Sequence, residues 1–137
     1  MKKNICIVVA NYYPKISKAL IIGSSKILKS KGIKKYKLIK VPGIFEIPYA
    51  IKKNINRFDA FIALGCVIKG ETPHFDLISK AVVNAIMDLS VESKKPIGNG
   101  IITCLNKKQA LERADPNGKD IGGNAVSAVL QTLANFK

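Results

Sequence analysis

Residues Ile5–Gly32 read ICIVVANYYPKISKALIIGSSKILKSKG. The stretch opens on six unbroken apolar residues, Ile5–Ala10, the pattern of a strand buried on both faces of a parallel sheet. Asn11-Tyr12-Tyr13-Pro14 ends the run. Apolar residues then recur at Ile16, Ala19, Leu20, Gly23, Ile27 and Leu28, a helical period that Gly32 closes. A doubly buried strand leading at once into an amphipathic helix is the first half of a β-α-β unit.

The alternation continues along the chain. Tyr36–Val41 predicts a second strand, Ile44 to about Ile55 a second helix, and Asp59–Gly65 a third strand. Thr72-Pro73 opens a long helix, with Thr72 as N-cap and Pro73 in the first helical position. Its expected core stripe is Phe75, Ile78, Val82, Ala85, Ile86 and Leu89. Ile97–Cys104 predicts a fourth strand, Asn106 with Gln109 a capping box for a helix through Arg113, and Asn124 to Ala134 a last helix. This order implies an α/β three-layer sandwich: a four-stranded parallel sheet with helices on both faces and flavodoxin-like winding. In such sheets ligands bind beyond the carboxyl ends of the strands. Three loops converge there: Asn11–Pro14, Pro42–Glu46 and Cys66–His74.

At 137 residues and 47% hydrophobic composition, the chain reads as a single domain, 1–137, with a core that needs no disulfides. No apolar run is long enough to cross a bilayer, and Ile5–Ala10 is too short for a secretory signal core, so a cytoplasmic protein without membrane contact is expected. Cys6, Cys66 and Cys104 are odd in number, lack metal spacing and sit in apolar segments, which suggests reduced thiols and no metal site. The net charge of +14 invites a nucleic-acid reading. Arg occurs only at Arg57 and Arg113, however, and the lysines are spread over helix faces and loops without interleaved aromatics. Base readers need Arg forks or stacking platforms, so no nucleic-acid partner is expected.

Neither G-x-G-x-x-G nor a P-loop occurs, and no elbow motif surrounds a serine. Cys66 and His74 lie close enough in sequence for a nucleophile–base pair, although Cys66 ends an apolar strand. The richest stretch is GCVIKGETPHFD at Gly65–Asp76, which leaves a strand, crosses a Gly-flanked loop and enters a helix N-terminus. Backbone N–H groups and the positive dipole end there favour an anion such as phosphate. His74, the one histidine, falls in the first turn, where a neutral ring able to exchange protons is favoured; a surface histidine capping its helix fits the same pattern. In VPGIFEIP at Val41–Pro48, Gly43 permits an unusual turn, and Glu46 either accepts hydrogen bonds from a polyol or complements the helix dipole. Tyr12 or Tyr13 is placed to stack on a planar heterocycle or to pack at the rim.

Val41–Pro48, Gly65–Asp76 and QALERA at Gln109–Ala114, in that order and spacing, resemble the lumazine synthase family over nearly the whole chain. The resemblance implies condensation of 5-amino-6-(D-ribitylamino)uracil with 3,4-dihydroxy-2-butanone 4-phosphate to 6,7-dimethyl-8-ribityllumazine, phosphate and water, with no cofactor. It implies that Tyr12 takes the place of a stacking Phe. Ile44, Phe45 and Glu46 would line the ribityl chain; Cys66, Val67 and Ile68 would hydrogen-bond the uracil through the backbone. Glu71, Thr72 and Arg113 would hold the phosphate, with His74 as general acid/base. Asn99 stands at a substrate-contacting position that is aromatic in some relatives, and Ile121 stands where many relatives carry Lys, with Lys119 two residues away. Asn99 begins the fourth strand, and Arg113 follows on a helix running back. Both are therefore expected towards the sheet edge opposite the three loops, so that a neighbouring subunit supplies them. The family forms pentamers and multiples of them, and association with riboflavin synthase is compatible with the resemblance. A flavin or lumazine carrier without turnover is the alternative, with Ile121 as its symptom.

Overall fold

A computed structural model describes residues 3–70 and 74–136. Four strands form one parallel sheet in the order β2-β1-β3-β4: β1 Ile5–Ala10, β2 Lys37–Val41, β3 Ala60–Ile68 and β4 Ile97–Cys104. The helices are α1 Pro14–Ser30, α2 Ile47–Lys53, α3 His74–Ser93, α4 Lys107–Ala114 and α5 Ile121–Asn135. One face of the sheet carries α1, α4 and α5, and the other carries α2 and α3. The expected three-layer architecture is therefore the observed one. β1 is buried at every position, as its unbroken apolar run requires.

Three elements differ most from the sequence reading. The second helix is split, with a 3-10 turn at Ile44–Glu46 before α2. Pro48 sits in the first turn of α2, where its missing N–H costs nothing. β3 runs on to Ile68 because β4 pairs with it along its whole outer half. α5 begins at Ile121 rather than Asn124, with Asp120 accepting the Gly123 N–H at 3.1 Å. Gly122-Gly123 looks like a breaker in sequence, yet it lets α5 press against α1, where Ser24 Oγ donates to the Gly122 carbonyl at 2.8 Å. The stripe expected on α3 is only partly a core. Val82 and Ile86 are buried, Ile78 and Leu89 pack at the margin, and Phe75 and Ala85 are half-buried. Leu77, Met87 and Val91 are exposed, because α3 has only one side against the sheet. Thr72 and Pro73, expected to start this helix, lie outside the described residues.

α5 also lies close over β4. A Cβ on Gly98 would stand 2.6 Å from the Ala125 carbonyl oxygen, so that strand position cannot carry a side chain without pushing the helix away.

Candidate active site

The carboxyl edge of the sheet is built from β1 outward. Ser17 Oγ donates to the Ala10 carbonyl at 2.9 Å and to the Tyr13 carbonyl at 3.0 Å, tying the start of α1 to the end of β1. Asn11 N–H donates to the Val41 carbonyl at 2.8 Å and joins the ends of β1 and β2. Between these anchors Tyr12 is 70% exposed, its ring edge-on to Tyr13 at 4.9 Å. Tyr13 packs on the core, which leaves Tyr12 as the ring available to a ligand. Ser17 escaped the sequence reading; its signal was a polar residue on the buried stripe of α1, one heptad from buried Ser24.

Glu46 is half-buried, and its Oε1 accepts the Gly43 N–H at 2.9 Å. The capping role and a ligand role are thus compatible, since among the described residues the second carboxylate oxygen has no partner and the first fixes its direction. Ile44 is buried beneath the turn, and Phe45 is 67% exposed. Gly65 makes room for this turn: a Cβ there would lie 2.7 Å from Ile44 Cγ2.

Backbone alternation sorts the next three residues. Phe61 N–H bonds the Pro96 carbonyl and Lys69 N–H the Cys104 carbonyl, so odd residues of β3 face β4. Val67 therefore spends its backbone groups on β4. Ile68 and the carbonyl of Cys66 face the side of β1, which ends at Ala10 and stops short of them. These are the backbone groups placed to meet a planar ligand over the end of β1. The Cys66 thiol points elsewhere, into the face under α1 and α4, and burial first and the Cys104 neighbour second push its pKa up to about 12. A thiol so held is a poor nucleophile. His74, moreover, begins α3 on the other face, where it is exposed. The Cys66–His74 pair is thus not assembled. Glu71 and Thr72, expected at the phosphate, lie outside the described residues.

Asn99 lies in the first half of β4, paired with Ala63, roughly 16 Å below the carboxyl end of its strand at 3.3 Å per residue. That agrees with its expected place. Arg113 does not follow the expectation. It reaches the carboxyl end of its own sheet, donating from Nη1 to the Thr103 carbonyl at 2.8 Å. The reason is local: α4 starts right after β4, Arg113 is only about 9 Å down it, and helical side chains lean back towards the N-terminus. Odd residues of β4 turn their backbone away from β3, so Thr103 presents its carbonyl to the open edge of the sheet. Asn99 works on the same edge, its Oδ1 accepting the Ile101 N–H at 3.1 Å. Both residues therefore use the open edge of β4, while Tyr12 and Glu46 follow the carboxyl ends of β1 and β2 and His74 opens α3.

The model of the family described as 6,7-dimethyl-8-ribityllumazine synthase matches residues 2–137. The chain belongs to this family. A 6,7-dimethyl-8-ribityllumazine synthase of Bartonella tribocorum is 44% identical, covering 97% of this chain and 89% of its own. Relatives of the same name in Bartonella bacilliformis, at 42% over 96% and 88%, and Streptomyces coelicolor, at 37% over 97% and 84%, span it equally well. Ile121 packs against the core where α5 begins. Lys119 is exposed in the preceding turn, its carbonyl accepting from Asn124 Nδ2 at 3.0 Å.

Proposed function

We propose that this chain catalyses the reaction of its family. It condenses 5-amino-6-(D-ribitylamino)uracil with 3,4-dihydroxy-2-butanone 4-phosphate to 6,7-dimethyl-8-ribityllumazine, in the cytoplasm and in riboflavin biosynthesis, without a cofactor. The observation that carries the reading is the convergence at one sheet edge of an exposed ring at Tyr12, a carboxylate aimed by Gly43, and backbone groups of β3 left beyond the end of β1.

The uracil stacks on Tyr12 and pairs with the Cys66 carbonyl and the Ile68 backbone, while the ribityl hydroxyls run along Ile44 and Phe45 to the outer oxygen of Glu46. The amine attacks the ketone and water leaves to give an imine. A proton is then removed from the adjacent carbon as phosphate departs, and ring closure expels water. His74 exchanges the protons. Arg113 keeps one N–H on Thr103 and offers the rest of its fork to the phosphate, together with Glu71 and Thr72. Positioning carries much of the rate, since both substrates are reactive without help.

The site belongs to an oligomer, a pentamer or a multiple of one. Asn99 and Arg113 lie along the open edge of β4 and face outward, so they complete the pocket of the adjacent subunit. The apolar side of α3 at Leu77, Met87 and Val91 supports the same contact. Mixing both substrates with the protein and following lumazine fluorescence together with phosphate release tests the proposal. Formation of both products supports it. Binding of lumazine without turnover would favour the alternative, a non-catalytic carrier, for which Ile121 in place of the family's Lys is the supporting observation.

A further inference from the structure

The turn that presents Tyr12 is closed by one buried hydroxyl. β1 ends at Ala10 and α1 begins at Pro14, so Asn11, Tyr12 and Tyr13 span the gap. Ser17, 3% exposed, reaches both ends of that gap, with Oγ 2.9 Å from the Ala10 carbonyl oxygen and 3.0 Å from that of Tyr13. A hydroxyl has a single proton to donate, so the two carbonyls share it. The bond to Tyr13 is the usual one from a helical serine to the carbonyl four residues back, which also receives the Ser17 N–H at 2.9 Å. The bond to Ala10 leaves the helix and crosses the turn. Helix formation does not ask for serine here: alanine is the better helix former, and Ile16 and Leu20 on the same buried stripe are apolar.

The Tyr12 ring does not fix itself. It is 70% exposed and meets Tyr13 edge-on at 4.9 Å, and Tyr13, at the N-cap position, supplies no side-chain cap to α1. The ring's direction therefore comes from the backbone on either side. Asn11 N–H pins the first residue of the turn to the Val41 carbonyl, and Ser17 holds the carbonyls at both ends. Buried Ser24 offers a comparison within the same helix: its Oγ donates to the Gly122 carbonyl at 2.8 Å, where α1 meets α5, away from the turn.

We propose that Ser17 is a positioning residue for the reaction: by holding the Ala10 and Tyr13 carbonyls to one hydroxyl, it sets the height and tilt of the Tyr12 ring on which the pyrimidine stacks. This role rests on Tyr12 being the stacking ring of the proposed reaction. A displacement of about 1 Å is enough to spoil the alignment of bound reactants, so a bond that fixes the turn acts on binding without touching the ligand.

The test measures, on the whole assembled protein, the Kd of 6,7-dimethyl-8-ribityllumazine by its fluorescence and KM for the butanone phosphate. Ser17→Ala should weaken lumazine binding about five- to tenfold, roughly the loss of one hydrogen bond, and leave KM for the butanone phosphate unchanged. Ser17→Cys, a weaker donor of similar shape, should fall between serine and alanine. Ser24→Ala should lower Tm with lumazine affinity unaltered, since its bond serves packing alone. Tyr12→Leu should weaken lumazine by itself, and adding Ser17→Ala to it should cost nothing further, because the hydroxyl acts through the ring. Unchanged lumazine affinity in Ser17→Ala would overturn the proposal, as would the same loss with and without the Tyr12 ring, or matching losses for lumazine and the butanone phosphate. Full lumazine affinity in Tyr12→Leu would instead remove the stacking assignment, and the role of Ser17 with it.

Discussion

In the proposed reaction Arg113 carries two duties with one side chain. Its Nη1 serves the Thr103 carbonyl, and that bond aims the remaining fork. Arg113→Ala should therefore weaken the butanone phosphate by about 1.5–3 kcal/mol, the loss of charge-assisted hydrogen bonds to a dianion, and leave the pyrimidine nearly untouched. Separate KM values for the two substrates check this; equal losses would remove Arg113 from the phosphate. His74→Ala should slow turnover by about 10- to 100-fold with substrate binding preserved, at or below the low end for general acid–base catalysis. Cys66 supplies a prediction about stability. Its folded pKa is raised by burial from 9.0 to about 12, and that of Cys6 likewise to about 11. A raised folded pKa means that the unfolded chain loses its protons first, so stability is fully present below about pH 9 and declines as pH climbs towards 11–12. Urea midpoints measured from pH 8 to 11 should fall, and Cys66→Ala should flatten the fall. A slope unchanged by that substitution would mean that the thiol ionises as easily folded as unfolded.

At the scale of elements, α4 decides where Arg113 stands. Asn106 Oδ1 accepts the Gln109 N–H at 2.9 Å, and Gln109 Oε1 accepts the Leu105 N–H at 2.8 Å, so both cap bonds set the helix directly on the end of β4. Asn106→Ala should cost about 0.5–2 kcal/mol of stability and should also raise KM for the butanone phosphate. A stability loss with that KM unaltered would show that the cap does not position the arginine. This cap was legible in sequence, because Asn followed three residues later by Gln has a fixed local meaning. β1 was legible too, since a continuous apolar run admits few alternatives. The start of α5 was not, because Gly122 acts through a helix distant in sequence, while Gly123 makes room for the Asp120 cap. The reach of Arg113 was missed for a related reason. Chain direction tells where a helix goes, but the backward lean of a long side chain on a short helix is a matter of ångströms. Glu46 showed the opposite outcome: both of its sequence readings are compatible with one geometry, because a carboxylate has two oxygens.

At the scale of the whole molecule, the proposed shared pocket leaves one chain with half a site. Tyr12 and Glu46 follow the carboxyl ends of β1 and β2 and His74 opens α3; Asn99 and Arg113 use the open edge of β4. A Glu46→Ala homomer would have every pocket damaged on one side, and an Arg113→Ala homomer every pocket damaged on the other. The direct measurement is to unfold the two variants, mix them in equal amounts, reassemble them and assay lumazine formation. With head-to-tail contacts in a ring, about one interface in four then joins an intact Glu46 to an intact Arg113. Activity should return to about a quarter of that of unsubstituted protein put through the same cycle. If well-mixed, correctly assembled heteromers stay as inactive as their parents, each chain holds its own complete site, and the shared pocket is wrong.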